Sequence, residues 1–144
     1  MAATNEKPAL PNLHRLELAE WAVGDDPTAR GRIAVPTSAA EGATSTVVYI
    51  EVDAGYNVPL HTHSAEETIV VLGGSGTVTA GDRQAEATVG DVIVAPAFVR
   101  HGWRNDGEET LKFIGVFGTG AVTTTFDEPV APFGVATFAI PIAG

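Results

Sequence analysis

His61 and His63 are separated by one residue, Glu67 stands four residues beyond, and His101 lies far downstream. On a β-strand alternate side chains share a face, so His-x-His delivers two imidazoles to one side of a sheet. With residues 64–66 as the connection, Glu67 begins the next strand facing the same way. His101 falls inside a predicted strand, Val99–Arg104, where period two turns Val99 and Trp103 inward with it and Arg100 and Arg104 outward. Three imidazoles and one carboxylate are a ligand set for one divalent first-row ion per subunit: iron, manganese, nickel, zinc or copper. In an octahedral shell these four leave two positions for water, substrate or dioxygen. Imidazole ligates only when neutral, so metal is expected to leave as pH falls below about 6. Glu66 competes for the carboxylate role, but the alternation Glu67, Ile69, Val71 places Glu67 inside and Glu66 in solvent.

The elements that must hold these side chains read as strands. Thr46–Val52 is β-branched and aromatic, Val58–His63 is extended, and Glu67–Leu72 is apolar on alternate positions. Thr77–Ala80 pairs naturally with Gln84–Val89 around Gly81-Asp82-Arg83. Val92–Ala95 is stopped by Pro96, Thr110–Phe117 is strongly apolar, and Val122–Phe126 follows a glycine break. Upstream, Gly31–Val35 is a short strand ending at Pro36, and the stretch 14–21 fits a helix or a strand equally. About eight strands at intervals of roughly 8–12 residues are the spacing of a sandwich or barrel. No long helical period and no internal repeat appears. Residues 1–30 read as a leader and edge segment, 31–126 as the β-barrel domain, and 127–144 as a tail forming an edge strand or subunit contact.

Composition narrows the functions. The 144 residues fit one domain, and 44% hydrophobic residues suffice for a core. A formal net charge of −10, spread over both halves, repels phosphate backbones and anionic lipid surfaces, which argues against nucleic-acid and membrane partners. The absence of cysteine excludes disulfides, thiolate metal sites and a cysteine nucleophile. The first residues carry no apolar signal-peptide core, and no apolar run approaches the roughly 20 residues of a membrane span, so a cytoplasmic protein is the expectation. The glycine clusters at 73–76 and 118–120 lack a following lysine and helix and are not phosphate loops.

The chemistry-bearing residues also carry a resemblance. Gly55-x5-His61-x-His63-x3-Glu67-x6-Gly74 resembles the first motif of the cupin superfamily at every fixed position. Gly90-x5-Pro96-x-Phe98-x2-His101-x3-Asn105 resembles the second, with Phe98 where the family has a glycine. That glycine serves the turn after the proline; the departure bears on the loop and touches no ligand position. The resemblance implies an all-β jelly-roll barrel, a double-stranded β-helix, of the small single-domain kind, with His61, His63, Glu67 and His101 as ligands inside its mouth. It also implies a homodimer, for which the apolar stretches Val135–Ile142 and Leu13–Trp21 are suitable patches.

Three functions follow, all with a small organic molecule as partner. The favoured one is an oxygen-using enzyme of dioxygenase type, supported by the resemblance to quercetinase-like small cupins. The second is a non-redox isomerase, lyase, cyclase or decarboxylase with the ion as Lewis acid. The third is a non-catalytic module that binds a sugar or acid. Ile69, Val71, Val94, Trp103 and Phe113 are the expected pocket walls. Tyr49 and Tyr56, the only tyrosines, are the candidate proton donors, with packing as the competing role.

Overall fold

The computed structural model describes residues 10–141. Twelve strands run β1 (Ala19–Val23), β2 (Arg30–Thr37), β3 (Thr46–Val52), β4 (Asn57–His63), β5 (Glu67–Gly73), β6 (Ser75–Ala80), β7 (Arg83–Thr88), β8 (Val92–Ala95), β9 (His101–Arg104), β10 (Leu111–Phe117), β11 (Val122–Ala131) and β12 (Val135–Ile140). Two single-turn 3-10 segments, Leu13–Arg15 and Ala39–Glu41, are the only helical pieces among the described residues. No helix there is long and apolar enough to cross a membrane.

All pairings are antiparallel, in the order β7-β6-β9-β4-β11-β1-β2-β3-β10-β5-β8, with β12 added beside β11. The sheet curls on itself, because its inward faces carry the apolar alternation and must meet one another. Along β10, Leu111, Phe113, Gly115 and Phe117 are buried, and Phe113 sits opposite Ile50 of β3 and Val71 of β5. The two halves of the curl join where Trp103 of β9 stacks on Phe113, ring centroids 4.9 Å apart. Val52, Ile69, Val71, Val78 and Leu111 complete the buried core around that pair.

The flanking segments depart from their sequence-based reading. β1 was expected at an edge, but it pairs with β11 on one side and β2 on the other, so it joins the two halves of the sheet. β11 runs through Pro129 to Ala131, and β2 runs past Pro36. Each proline stands where the register slips against a neighbouring strand, a place that needs no ladder N–H. β9 starts at His101, two residues later than expected, because residues 96–100 form a loop. In that loop Phe98 adopts φ 63°, the left-handed conformation that glycine serves in the family motif. The turn thus keeps its geometry despite the side chain, at a cost of about 1–2 kcal/mol. The Phe98 N–H donates to the carbonyl of His63 at 2.8 Å, which ties the loop to the strand carrying two of the histidines.

Trp21 stands opposite Gly31 across β1 and β2, and its indole covers the glycine. A Cβ at position 31 would come 2.6 Å from Trp21 Cζ2 and 2.7 Å from the carbonyl oxygen of Glu51. Gly31→Ala is therefore expected to destabilise the fold by about 1–3 kcal/mol, read as a lowered urea midpoint with an unchanged slope.

Candidate metal centre

β4 presents His61 and His63 on its inner face, β5 opens with Glu67, and β9 opens with His101. Their relative exposures are 6, 6, 4 and 2%. β4 pairs with β9 so that His61 lies directly opposite His101, and the ring centroids are 4.3 Å apart. One nitrogen from each of His61, His63 and His101 falls within 4.8 Å of the others. Glu67 Oε1 completes the set at 3.0 Å from His101 Nε2 and 3.3 Å from His63 Nε2. Ligand atoms held about 2.1 Å from an ion at right angles to one another lie about 3.0 Å apart, so these spacings suit a shared cation. Glu66 is exposed, as the alternation required.

The proton positions follow from the outer nitrogens. His61 Nδ1 donates to the carbonyl of Pro59 at 2.8 Å, and His101 Nδ1 donates to that of Val99 at 3.0 Å. A carbonyl can only accept, so in the neutral rings Nε2 is the bare nitrogen. His63 Nδ1 lies 2.8 Å from Thr124 Oγ1 of β11, a hydroxyl able to accept in the same way. Bare nitrogens and a carboxylate then point at one another in apolar surroundings. Such a cluster of acceptors repels itself unless a positive centre sits among them, and a divalent ion satisfies all four at once. The residues present fit a metal ion.

Electrostatics agree with the ligating state. Burial, followed by the neighbouring His101 and His63, holds His61 well below the ordinary 6.5, so this ring is neutral in physiological solution. Burial pushes the Glu67 carboxyl up, but hydrogen bonds and charge from His101 and His63, when those rings carry a proton on Nε2, outweigh that and bring it down to about 2. Position 115, like Thr124, is a site residue that the sequence reading did not single out. Its Cα lies against the Glu67 carboxylate so closely that a Cβ there would overlap Oε2. The glycine leaves the space in which the carboxylate turns toward the histidines. Nothing in the local sequence marks it, because its partner stands 48 positions upstream.

The four side chains lie at one end of a cavity of about 460 Å³. Trp103 and Phe113 line it, whereas Ile69 and Val71, also expected on its wall, are packed in the core at 1% exposure each and do not. Val94 points away from it: β8 pairs with β5 so that Val94 faces Thr68 and Ile93 faces Ile69, which leaves Val94 51% exposed on the outer surface. Neither tyrosine reaches the cavity. Tyr49 shares the outer face of β3 with Glu51 and donates its hydroxyl to Glu51 Oε2 at 2.7 Å. Burial and then Glu51 push its ionisation upward, out of the range of a proton donor near neutrality. It belongs to a polar cluster in which Arg32 bridges Glu51 and Asp53. Tyr56 lies in the turn before β4, beneath the Arg30 guanidinium, and borders a separate cavity of about 380 Å³. Asn105 is buried as turn chemistry, donating to the carbonyls of Val52 and Glu109 and accepting from Gly107 N–H.

Comparison with known proteins agrees with this fold. The family model described as "Cupin domain" matches residues 48–117, which contain all four candidate ligands. No curated protein matches the chain. Among solved structures, a candidate sugar phosphate isomerase of Acidithiobacillus ferrooxidans is 23% identical with a TM-score of 0.66, covering 82% of this chain and 80% of its own. A predicted oxalate decarboxylase of Thermotoga maritima is 20% identical with a TM-score of 0.65, covering 74% and 96%. The polyketide cyclase RemF of Streptomyces resistomycificus is 25% identical with a TM-score of 0.60, covering 75% and 78%.

Two measurements check the centre. Thr124→Val removes the acceptor behind His63 and Gly115→Ala displaces Glu67. Each is expected to weaken divalent-metal affinity about 10–100-fold in competition with a chelator, without loss of the β-sheet circular dichroism. Because the fold lowers the proton affinity of His61, protons displace metal only in more acid solution than an exposed imidazole would require. Metal content measured after dialysis is expected to hold from pH 8 to about 6 and to fall below that.

Proposed function

We propose, on the premise of the match of residues 48–117 to the cupin domain, that the chain is a metal-dependent enzyme acting on a small organic molecule by non-redox chemistry. The observation that carries the reading is the convergence of His61, His63, His101 and Glu67 at one end of a cavity large enough for a substrate. A divalent ion bound there supplies Lewis acidity toward a substrate oxygen, and an oxidisable ion also supplies dioxygen chemistry.

The chain's own residues do the rest. The carbonyls of Pro59 and Val99 and the Thr124 hydroxyl hold the three rings in the ligating tautomer. The apolar walls exclude water, so charge developing on a substrate oxygen is met by the site and not by solvent. Isomerisation, decarboxylation and cyclisation, the activities named for the three structural neighbours, all develop such charge. These names favour the non-redox reading over the oxygen-using one that the sequence had put first.

One observation favours the oxygen-using reading. Apart from the four candidate ligands, the only ionisable side chain on the cavity wall among the described residues is the exposed Glu17. Proton abstraction next to a carbonyl needs a base within reach, which in this cavity falls to Glu67 or to Glu17 at the mouth. Dioxygen chemistry makes no such demand. A homodimer is also part of the proposal. β8 has a partner on one side only, and Val92 and Val94 on it are exposed, which supports pairing through that edge.

Metal exchange separates the two readings. Protein reconstituted with zinc is expected to keep at least a tenth of the turnover of the iron form, and turnover is expected to be unchanged without oxygen. Activity that vanishes in both cases assigns the oxygen-using role instead.

A further inference from the structure

Around the candidate ligands the cavity is almost wholly apolar. Among the described residues, Glu17 and Thr124 are the only other wall residues with polar or charged groups beyond an indole N–H, and no lysine, arginine, serine, asparagine, glutamine or tyrosine lines it. Seven aromatic residues do, Trp21, Trp103 and five phenylalanines. Three of them form a continuous path away from the ligands. Phe126 stacks on His61 at 4.5 Å and 20° between planes, Phe138 lies parallel to Phe126 at 6.3 Å and 11°, and Phe133 touches Phe138 at 4.8 Å. Phe133 is 36% exposed, so the path ends at the surface.

This arrangement sets what can enter. Apart from the ion itself, a phosphate has no cation on the wall to pair with among the described residues. A sugar would bury several hydroxyls with almost nothing to accept or donate, and each unpaired group is costly. The exposed Glu17 on the wall opposes an anionic body. Planar rings, in contrast, match the parallel phenylalanine faces, and an oxygen at one end reaches the ligand cluster. We infer that the substrate is an uncharged, planar, conjugated molecule, aromatic or polyunsaturated, that places an oxygen-bearing end at the histidines and its apolar body along Phe126, Phe138 and Phe133. The inference rests on the metal-enzyme reading for the oxygen end and on the cavity wall for the body.

The test is binding to zinc-loaded protein, followed by the fluorescence of Trp21 and Trp103, the only two tryptophans in the chain, both on the cavity wall. The probes are 2-acetyl-1-naphthol, which carries adjacent hydroxyl and carbonyl oxygens on a fused ring, naphthalene, glucose and glucose 6-phosphate. Saturable quenching by 2-acetyl-1-naphthol is expected, with naphthalene at least tenfold weaker and both sugars at least 100-fold weaker. Phe138→Ala is expected to weaken the naphthol about tenfold, and the more exposed Phe133→Ala a few-fold. Glucose or glucose 6-phosphate binding as tightly as the naphthol, or unchanged naphthol affinity in both variants, overturns the inference. Zinc content is measured on the same samples. Naphthol binding to protein that takes up no zinc overturns the metal-enzyme reading and supports the assignment of the cavity wall. Stoichiometric zinc without naphthol binding does the reverse.

Discussion

An uncharged imidazole holds one proton between two nitrogens, and in His61 and His101 the barrel places that proton on the outward nitrogen. Pro59 and Val99 each stand two residues before a histidine, and their carbonyls take the Nδ1 proton of His61 and His101. Thr124, from β11, stands behind His63. The inward nitrogens are left as bare lone pairs and meet the Glu67 carboxylate in a cavity with little water-like lining. Four acceptors crowded together in this way are an unfavourable arrangement by themselves. The surrounding structure maintains it through strand pairing: β4 against β9 sets His61 opposite His101, and β5 against β10 sets the carboxylate over Gly115.

The polar end of the site was legible in the sequence because it depends on short-range rules. His-x-His on a strand needs only period two, and Glu67 was distinguished from Glu66 by the same alternation. The all-β architecture was legible for a similar reason, since glycine, proline and Asn-Asp-Gly turns punctuate β-branched runs at regular intervals. The ends of several strands were misjudged where a proline occupies a register slip. Pro36 and Pro129 look like terminators in one dimension, but in the sheet they fall where no ladder hydrogen bond is required.

What the sequence concealed are relations between distant strands. Gly115 matters only because β10 lies beside β5, and Thr124 only because β11 lies beside β4. Val94 was placed in the pocket, and the register of β8 against β5 turns it to the outer surface; a one-residue change of register exchanges the faces of a strand. The tyrosines show the same limit. Tyr49 alternates with Val48 and Ile50 of the cavity wall, so its hydroxyl is committed to Glu51 on the other face. Phe98 is a different case: its side chain argued for an altered turn, and the backbone took the left-handed conformation regardless because the turn fixes where His101 begins its strand.

The cavity has two ends of different origin. Every candidate ligand lies within residues 48–117, the part that matches the family. Leu16, Trp21, Ile33, Phe126, Phe133 and Phe138, which build much of the apolar wall, lie outside it. A fold by itself does not decide what approaches its site. In this chain the flanks build much of the wall that a ligand would meet. β1 and β2 are not appendages; they close the sheet between β11 and β3 and carry Trp21 and Ile33 to the wall. β12 pairs with β11 and brings Phe138 beside Phe126, and Phe126 in turn stacks on His61. A ligand ring is thus the first member of an aromatic row that begins at the candidate ion and ends at the mouth, and the two ends of the cavity meet in a single stacked contact.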